Sequence, residues 1–376
     1  MGSEYSDNHV ADSELLTHSD PKSEFLQLLH GVNTPCMFEY PVNPPPWLNT
    51  ELYDIGIKYY HKNMLGIMAS NGEALIMGLA LPTFYKPLAF SGVTSKDPRA
   101  ALMRYMQTGK HIYGRWYAGG NPWEKESHAA ESLKLVNSMH KHVADMIRAD
   151  HENFDSKVES EFVDCQVEGK QADILREELS ELKKNYPMYE EYDAYISSTQ
   201  SFSQFDMTLV QAAFFAAVLI YPEHYGAKSA SALELEGFVH VWRVFGYYLG
   251  ISESNNAASF DLNKTIALGR EVMEKILKPC MLNVNLHSMI MAQKIFSDPL
   301  NYFVWVYRNY RMVGFNLQKL WASFTWKQCY MYYARSFFLD TLYPFHIARW
   351  CLNYWANKII VRMWGRNNAS QLKKRK

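Results

Sequence analysis

The sequence predicts an all-α protein, built as one large helical domain. Apolar residues recur at helical spacing in windows that begin near 48, 71, 97, 127, 170, 207, 231, 262, 285 and 315. No series of alternating apolar runs joined by Asn-Gly or Asp-Gly turns accompanies them, and no repeat of fixed period is present. A chain of 376 residues is ample for one large core.

Taken in order, residues 1 to 35 read as a flexible, polar N-terminal tail with neither a signal nor a transit peptide, although MGSEYS fits the loose myristoylation pattern. "YPVNPPPWLN" (40–49) is an extended, proline-fixed lead into the helical core, expected over 36–300. In "AALMRYMQTGKHIYGRWY" (100–117), Leu102, Met106, Gly109, Tyr113 and Trp116 share one face, and Arg104, Thr108, His111 and Arg115 form a polar stripe. That stripe is either a solvated face or the cationic, hydroxyl-bearing wall of a buried site. "LKLVNSMHKHVADMI" (133–147) puts Leu133, Val136, Met139, Val143 and Ile147 on one apolar stripe that includes His140, while His142 falls among Lys134, Ser138, Lys141 and Asp145. His140 is therefore expected to face inward, as a core histidine or a ligand, and His142 to face water.

Residues 148–186 are charged and read as a solvated insertion carrying a surface helix. "TQSFSQFDMTLVQAAF" (199–214) places Gln200, Gln204 and Gln211 on an apolar helix, and "MTLVQAAFFAAVLIYP" (207–222) has the length of a buried central helix rather than a membrane span. In "ELEGFVHVWRVFGYYLGI" (234–251), Arg243 sits at the edge of a wide apolar face and needs an anionic partner, either a carboxylate side chain or a carboxylate on a cofactor. From 301 to 376 the chain carries thirteen Lys and Arg against Asp340 alone, interleaved with Trp and Tyr, and ends in KKRK. This composition suits a peripheral membrane surface, or a basic face over an aromatic core.

The net charge is -1, which argues against a nucleic-acid partner. Five cysteines, an odd number with no CxxC spacing, predict neither a disulfide framework nor a zinc site and point to an intracellular, reducing compartment. HExxH, GxSxG, Walker and Rossmann signatures are absent, as are paired ExxH motifs. What remains is one interior histidine, arginines on two helices, a hydroxyl and non-titrating glutamines. That inventory is poor for acid–base hydrolysis and suits a protein holding a porphyrin.

The order "PPWLNTELYDIGIKYY", "RYMQT", "MHKHV", "SQFDMTLVQAAF" and "GFVHVWRVFGYYLGI" closely resembles the rubber-oxygenase (latex clearing protein) family, which includes ER-bound oxygenases of the mpaB type. The likeness covers roughly residues 40 to 256. It implies a helical fold around haem b, with His140 as the iron ligand, Arg104 and Thr108 beside the oxygen-binding face, and Arg243 as a haem-propionate or structural arginine. The implied reaction is oxidative cleavage or oxidation of a hydrophobic, isoprenoid or lipid-like substrate by dioxygen, in the cytoplasm or peripherally at the ER membrane. Where the family usually has an arginine after the ligand histidine this chain has Ala144, and where a lysine is frequent it has Gln107; "YKPLAFSG" offers no carboxylate base. Those departures leave open a family member without catalysis that binds lipid or a partner. A non-haem iron oxygenase, with ligands besides His140, is a third option.

Overall fold

The computed structural model describes residues 24–92, 98–167, 169–198, 201–296 and 299–364. They form helices and turns, and the β-type contact among them is an isolated antiparallel bridge between Pro35 and Ser203. The all-α class expected from the periodicity is the class observed.

The main helices are α1 (Thr50–Gly78), α2 (Pro82–Phe90), α3 (Pro98–Gly109), α4 (His128–Ala149), α5 (Gln171–Lys184), α6 (Gln204–Ala213), α7 (Ala232–Tyr248), α8 (Leu262–Val272), α9 (Pro299–Met312), α10 (Trp326–Ser336) and α11 (His346–Trp364). The windows near 48 and 71 fall on the two limbs of α1, which are joined across a kink at Asn63. Asn49 caps α1 by accepting a hydrogen bond from Leu52 N at 3.0 Å, and the helix runs 29 residues through a local departure at Asn63 (φ -125°, ψ 21°). The span expected over 207–222 is broken at Phe214 and Phe215 into α6 and a short turn of helix, Ala216–Ile220.

Helices α1 and α7 form the central pair. They meet where both carry glycine: a Cβ on Gly56 would stand 2.0 Å from the Gly237 carbonyl oxygen. Backbone touches backbone here, so no side chain can turn aside. Gly56→Ala is expected to destabilise the chain by at least about 1–3 kcal/mol, readable as a lower urea midpoint; an unchanged midpoint would show that the two helices can separate without loss. Around this crossing pack Tyr53, Ile57 and Tyr60 of α1 with Phe238, Val241, Trp242 and Phe245 of α7, joined by Trp116 and Tyr117.

Three segment boundaries differ from those expected. Residues 1–23 of the tail lie outside the described residues, but Glu24–Asn33 is helical and buries Phe25, Leu28 and Val32. The charged segment 148–186 is solvated on its outer side only. Val158, Phe162, Leu175 and Leu179 are buried, and Glu178 accepts hydrogen bonds from Lys319 N (2.8 Å) and Leu320 N (3.0 Å). The boundary near 300 falls inside α9, whose Tyr302, Phe303, Tyr307 and Tyr310 belong to the core.

A buried charge network fastens α9 and α10 to α1. Glu73, fully buried, accepts from Arg308 Nε and Arg335 Nη2, both at 2.8 Å, and from the Tyr225 hydroxyl. Arg308 also pairs with Asp340 at 3.0 Å, and Asp340 meets His224 Nδ1 at 3.1 Å. No single described helix is long and apolar enough to cross a membrane; α1 and α2 pass by length and composition only as a pair, bent by 86°.

Candidate functional site

Helix α4 starts at a side-chain cap, Ser127 Oγ accepting from Ala130 N at 3.0 Å, and buries Leu133, Asn137, Ala144 and Ile147. This face is rotated from the expected stripe: Met139 is 54 % exposed, while Asn137 lies inside and donates to Tyr248 O. His140 remains on the inner side and His142 is exposed. The His140 ring makes no hydrogen bond among the described residues, and its Nδ1 is fully covered. Phe38 and Phe202 pack against it with ring centroids 6.0 and 5.8 Å away. Burial, reinforced by the nearby Arg104 charge, pushes its pKa down to about 4. At neutral pH His140 is an uncharged imidazole with unused nitrogen lone-pair capacity.

Phe202 itself is held in a left-handed conformation, φ +56°. A bulky side chain there costs on the order of 1–3 kcal/mol and persists only where the surroundings enforce it. The enforcement is visible: Cys36 N donates to Phe202 O at 3.0 Å and Gln204 N donates to Thr34 O at 2.7 Å, clamping residues 202–204 to the segment before α1. The Ser203–Asp206 capping box then starts α6, with Asp206 N donating to Ser203 Oγ and Ser203 N donating to Asp206 Oδ2.

Arg104 comes from α3. It is half-buried, donates from Nη1 to Ser91 Oγ at 2.6 Å, and meets no carboxylate among the described residues. Its neighbour Tyr105 has a buried hydroxyl without a partner, and burial pushes that phenol up to about 12, well out of reach of neutral pH. Thr108 does not join them. It is exposed, and its hydroxyl donates back to Arg104 O at 3.3 Å. The lower half of the expected polar stripe is rearranged as well. Residues Lys110–Trp116 take a π-helical turn, so His111 meets Ser132 Oγ of α4 (2.7 Å), which also accepts from Trp116 Nε1 (2.9 Å). Leu102, expected on the apolar face, is 38 % exposed.

Arg243 lies apart from this group. Its guanidinium stacks 4.0 Å over Trp47 and pairs with Glu253, so the anionic partner demanded by its position is a carboxylate side chain. The glutamines on α6 are structural ties: Gln204 donates to Gly250 O and accepts from Ser252 N, and Gln211 donates to Trp242 O and Asn256 Oδ1. Gln200 lies outside the described residues. The structure thus brings together His140 and Arg104, with Ser91, Tyr105, Phe38 and Phe202 around them. Reading the sequence missed the last four. Tyr105 could have been weighed from its place beside Arg104, but the two phenylalanines reach His140 only through long-range packing.

Among the described residues no three His, Cys, Asp or Glu side chains gather as metal ligands. A bare iron ion needs such a set, so the non-haem option has no donors to stand on there. Haem needs one protein nitrogen, which is the kind of donor an uncharged, unpartnered imidazole offers. A metal-bound histidine ordinarily donates its second N–H to an acceptor; here the Phe38 and Phe202 rings, not a hydrogen bond, orient His140. Compared with protein-family models, with curated proteins and with solved structures, the chain has no match.

Proposed function

We propose that this chain is a haem b-dependent oxygenase of the rubber-oxygenase type, oxidising or cleaving a hydrophobic, isoprenoid or lipid-like substrate with dioxygen. The observation that carries the reading is His140: an imidazole whose buried Nδ1 has no partner among the described residues, kept neutral by its surroundings, next to a half-buried arginine that meets no carboxylate among them, and against a strained phenylalanine. His140 would hold the iron, and the haem would supply the activation of dioxygen. Arg104, free of any carboxylate among the described residues, offers positive charge to an oxygen species or substrate group that becomes anionic. Ser91 fixes that guanidinium from the other side. Phe38 and Phe202 set apolar rings against the histidine, in keeping with a greasy substrate. Thr108 contributes nothing from its exposed position, and Arg243 acts on Glu253. All five cysteines are free thiols, which agrees with an intracellular setting, in the cytoplasm or at the ER membrane.

The second reading, a helical protein that binds lipid or a partner without catalysis, is favoured by Thr108 facing solvent and by Ala144 packed in the core. One measurement separates the two. The protein purified from haem-supplied cells should show a Soret band that shifts on reduction and again with carbon monoxide. His140→Ala should lose the haem while keeping its helical circular dichroism, and Arg104→Ala should keep haem but bind oxygen less stably. A colourless native protein, or a His140→Ala variant that retains full haem, would overturn the oxygenase reading.

A further inference from the structure

Helices α10 and α11 turn large apolar side chains outward and polar ones inward. Along α10 and on to Phe337 in the π-helical turn that continues it, Trp326, Tyr330, Tyr333 and Phe337 fall within one narrow stripe at steps of four, three and four, and all four are exposed, Trp326 by 83 %. The opposite side turns polar groups inward: Gln328 exchanges hydrogen bonds with Gln171, and Arg335 reaches Glu73. Helix α11 repeats the pattern. Ile347, Trp350, Tyr354, Trp355 and Ile359 face outward, Trp350 by 64 %. Arg349 and Asn353 face inward, donating to Gly226 O (3.0 Å) and Lys62 O, while Asn353 Oδ1 accepts from Leu65 N (3.0 Å). Phe345, in the turn between them, is exposed too. An exposed apolar area of this extent marks an interaction surface.

Charge decides the partner. Between Gln318 and Trp364 the chain has one carboxylate, Asp340, and it is held by Arg308 and His224. On the outer face of α11, Lys358 lies 4.5 Å over the Tyr354 ring, and Arg362 is exposed one turn further on. A second copy docked here would set cation against cation with no carboxylate to answer. Three exposed cations among the described residues of these helices, Lys327, Lys358 and Arg362, set among many aromatic and aliphatic side chains, are too few to track a nucleic-acid backbone. Trp, Tyr and Ile beside Lys and Arg are what the headgroup level of a bilayer accepts. A cavity of about 370 Å³ lined by Tyr307, Arg311, Trp321, Tyr332 and Tyr333 adjoins the face through Tyr333.

We propose that the outer faces of α10 and α11 seat the protein on an anionic phospholipid bilayer, peripherally and without crossing it. This does not depend on haem, and the test needs none. The full chain is sedimented with vesicles of phosphatidylcholine alone and with vesicles containing about one-third phosphatidylserine. The native protein should pellet with the anionic vesicles and be released as salt rises. A Trp326→Ser, Trp350→Ser, Trp355→Ser variant alters only exposed side chains, so its thermal midpoint should hold while its vesicle partition falls about tenfold or more. Lys358→Glu with Arg362→Glu should abolish the preference for anionic vesicles. Native protein that stays in the supernatant with both vesicles overturns the proposal, as does a triple variant that binds like the native chain. So does a native dimer, without vesicle binding, that the triple variant dissolves; that result would give the face to a second copy.

Discussion

Glu73→Ala is expected to destabilise the protein by about 3–5 kcal/mol, the cost of leaving buried charges without their counter-ion. Burial pushes the Glu73 carboxyl up, but Arg308 and Arg335 outweigh it and hold it below the ordinary carboxylate value. Removing it leaves the Arg335 guanidinium on the inner side of α10 without a carboxylate, takes one of two carboxylate partners from Arg308 of α9, and frees the Tyr225 hydroxyl. Arg335 keeps only its stacking on Trp305, 3.4 Å from the ring centroid. Arg308 keeps Asp340, so the loss should fall hardest on the attachment of α10. The measurement is urea unfolding at neutral pH, native against variant, with limited proteolysis to locate the loosened segment. A shift below about 1 kcal/mol would show that the network tolerates an unpaired charge, contrary to its burial.

The second large effect is acid loss of stability between pH 6.5 and 4. His140 and His240 both have folded pKa values pushed down to about 4, each by burial first and by a nearby arginine second. His240 is tied to its neutral form because Nε2 accepts from Asn49 N at 3.2 Å. A depressed histidine pKa means that the unfolded chain binds a proton in this window and the folded one does not. Stability present above pH 6.5 is therefore lost as pH falls toward 4, at about 1.4 kcal/mol per pH unit for each histidine. Asp206 acts oppositely. Its pKa is raised by burial to about 6, so the folded state holds a proton there that the unfolded state has released. Between pH 6 and 4 Asp206 therefore offsets part of the histidine loss. In the haem-free protein, His140→Phe should remove one histidine contribution and make stability less steeply dependent on pH over that range. A variant as acid-sensitive as the native protein would show that His140 is not the group being titrated.

Much of the architecture was legible because helical periodicity is local. The all-α class, the inward His140 and the outward His142 all follow from where apolar residues fall within a few turns of one another. Periodicity failed where long-range contacts intervene. The π-helical turn after Gly109 carries His111 out of its expected stripe and onto Ser132. Arg243 was read correctly as needing an anion, yet only the folded chain shows that Glu253 provides it.

The C-terminal segment marks the division most clearly. The sequence by itself determined that basic residues and aromatic rings would be interleaved there with Asp340 as the one acidic residue, because that is composition alone. Which face turns to the core is a matter of partners hundreds of residues away: Glu73 for Arg335, the Gly226 carbonyl for Arg349, and the backbone of residues 62 and 65 for Asn353. Those buried polar groups can be satisfied only inside, so the tertiary structure turned them inward and left the aromatic rings of α10 and α11 outside.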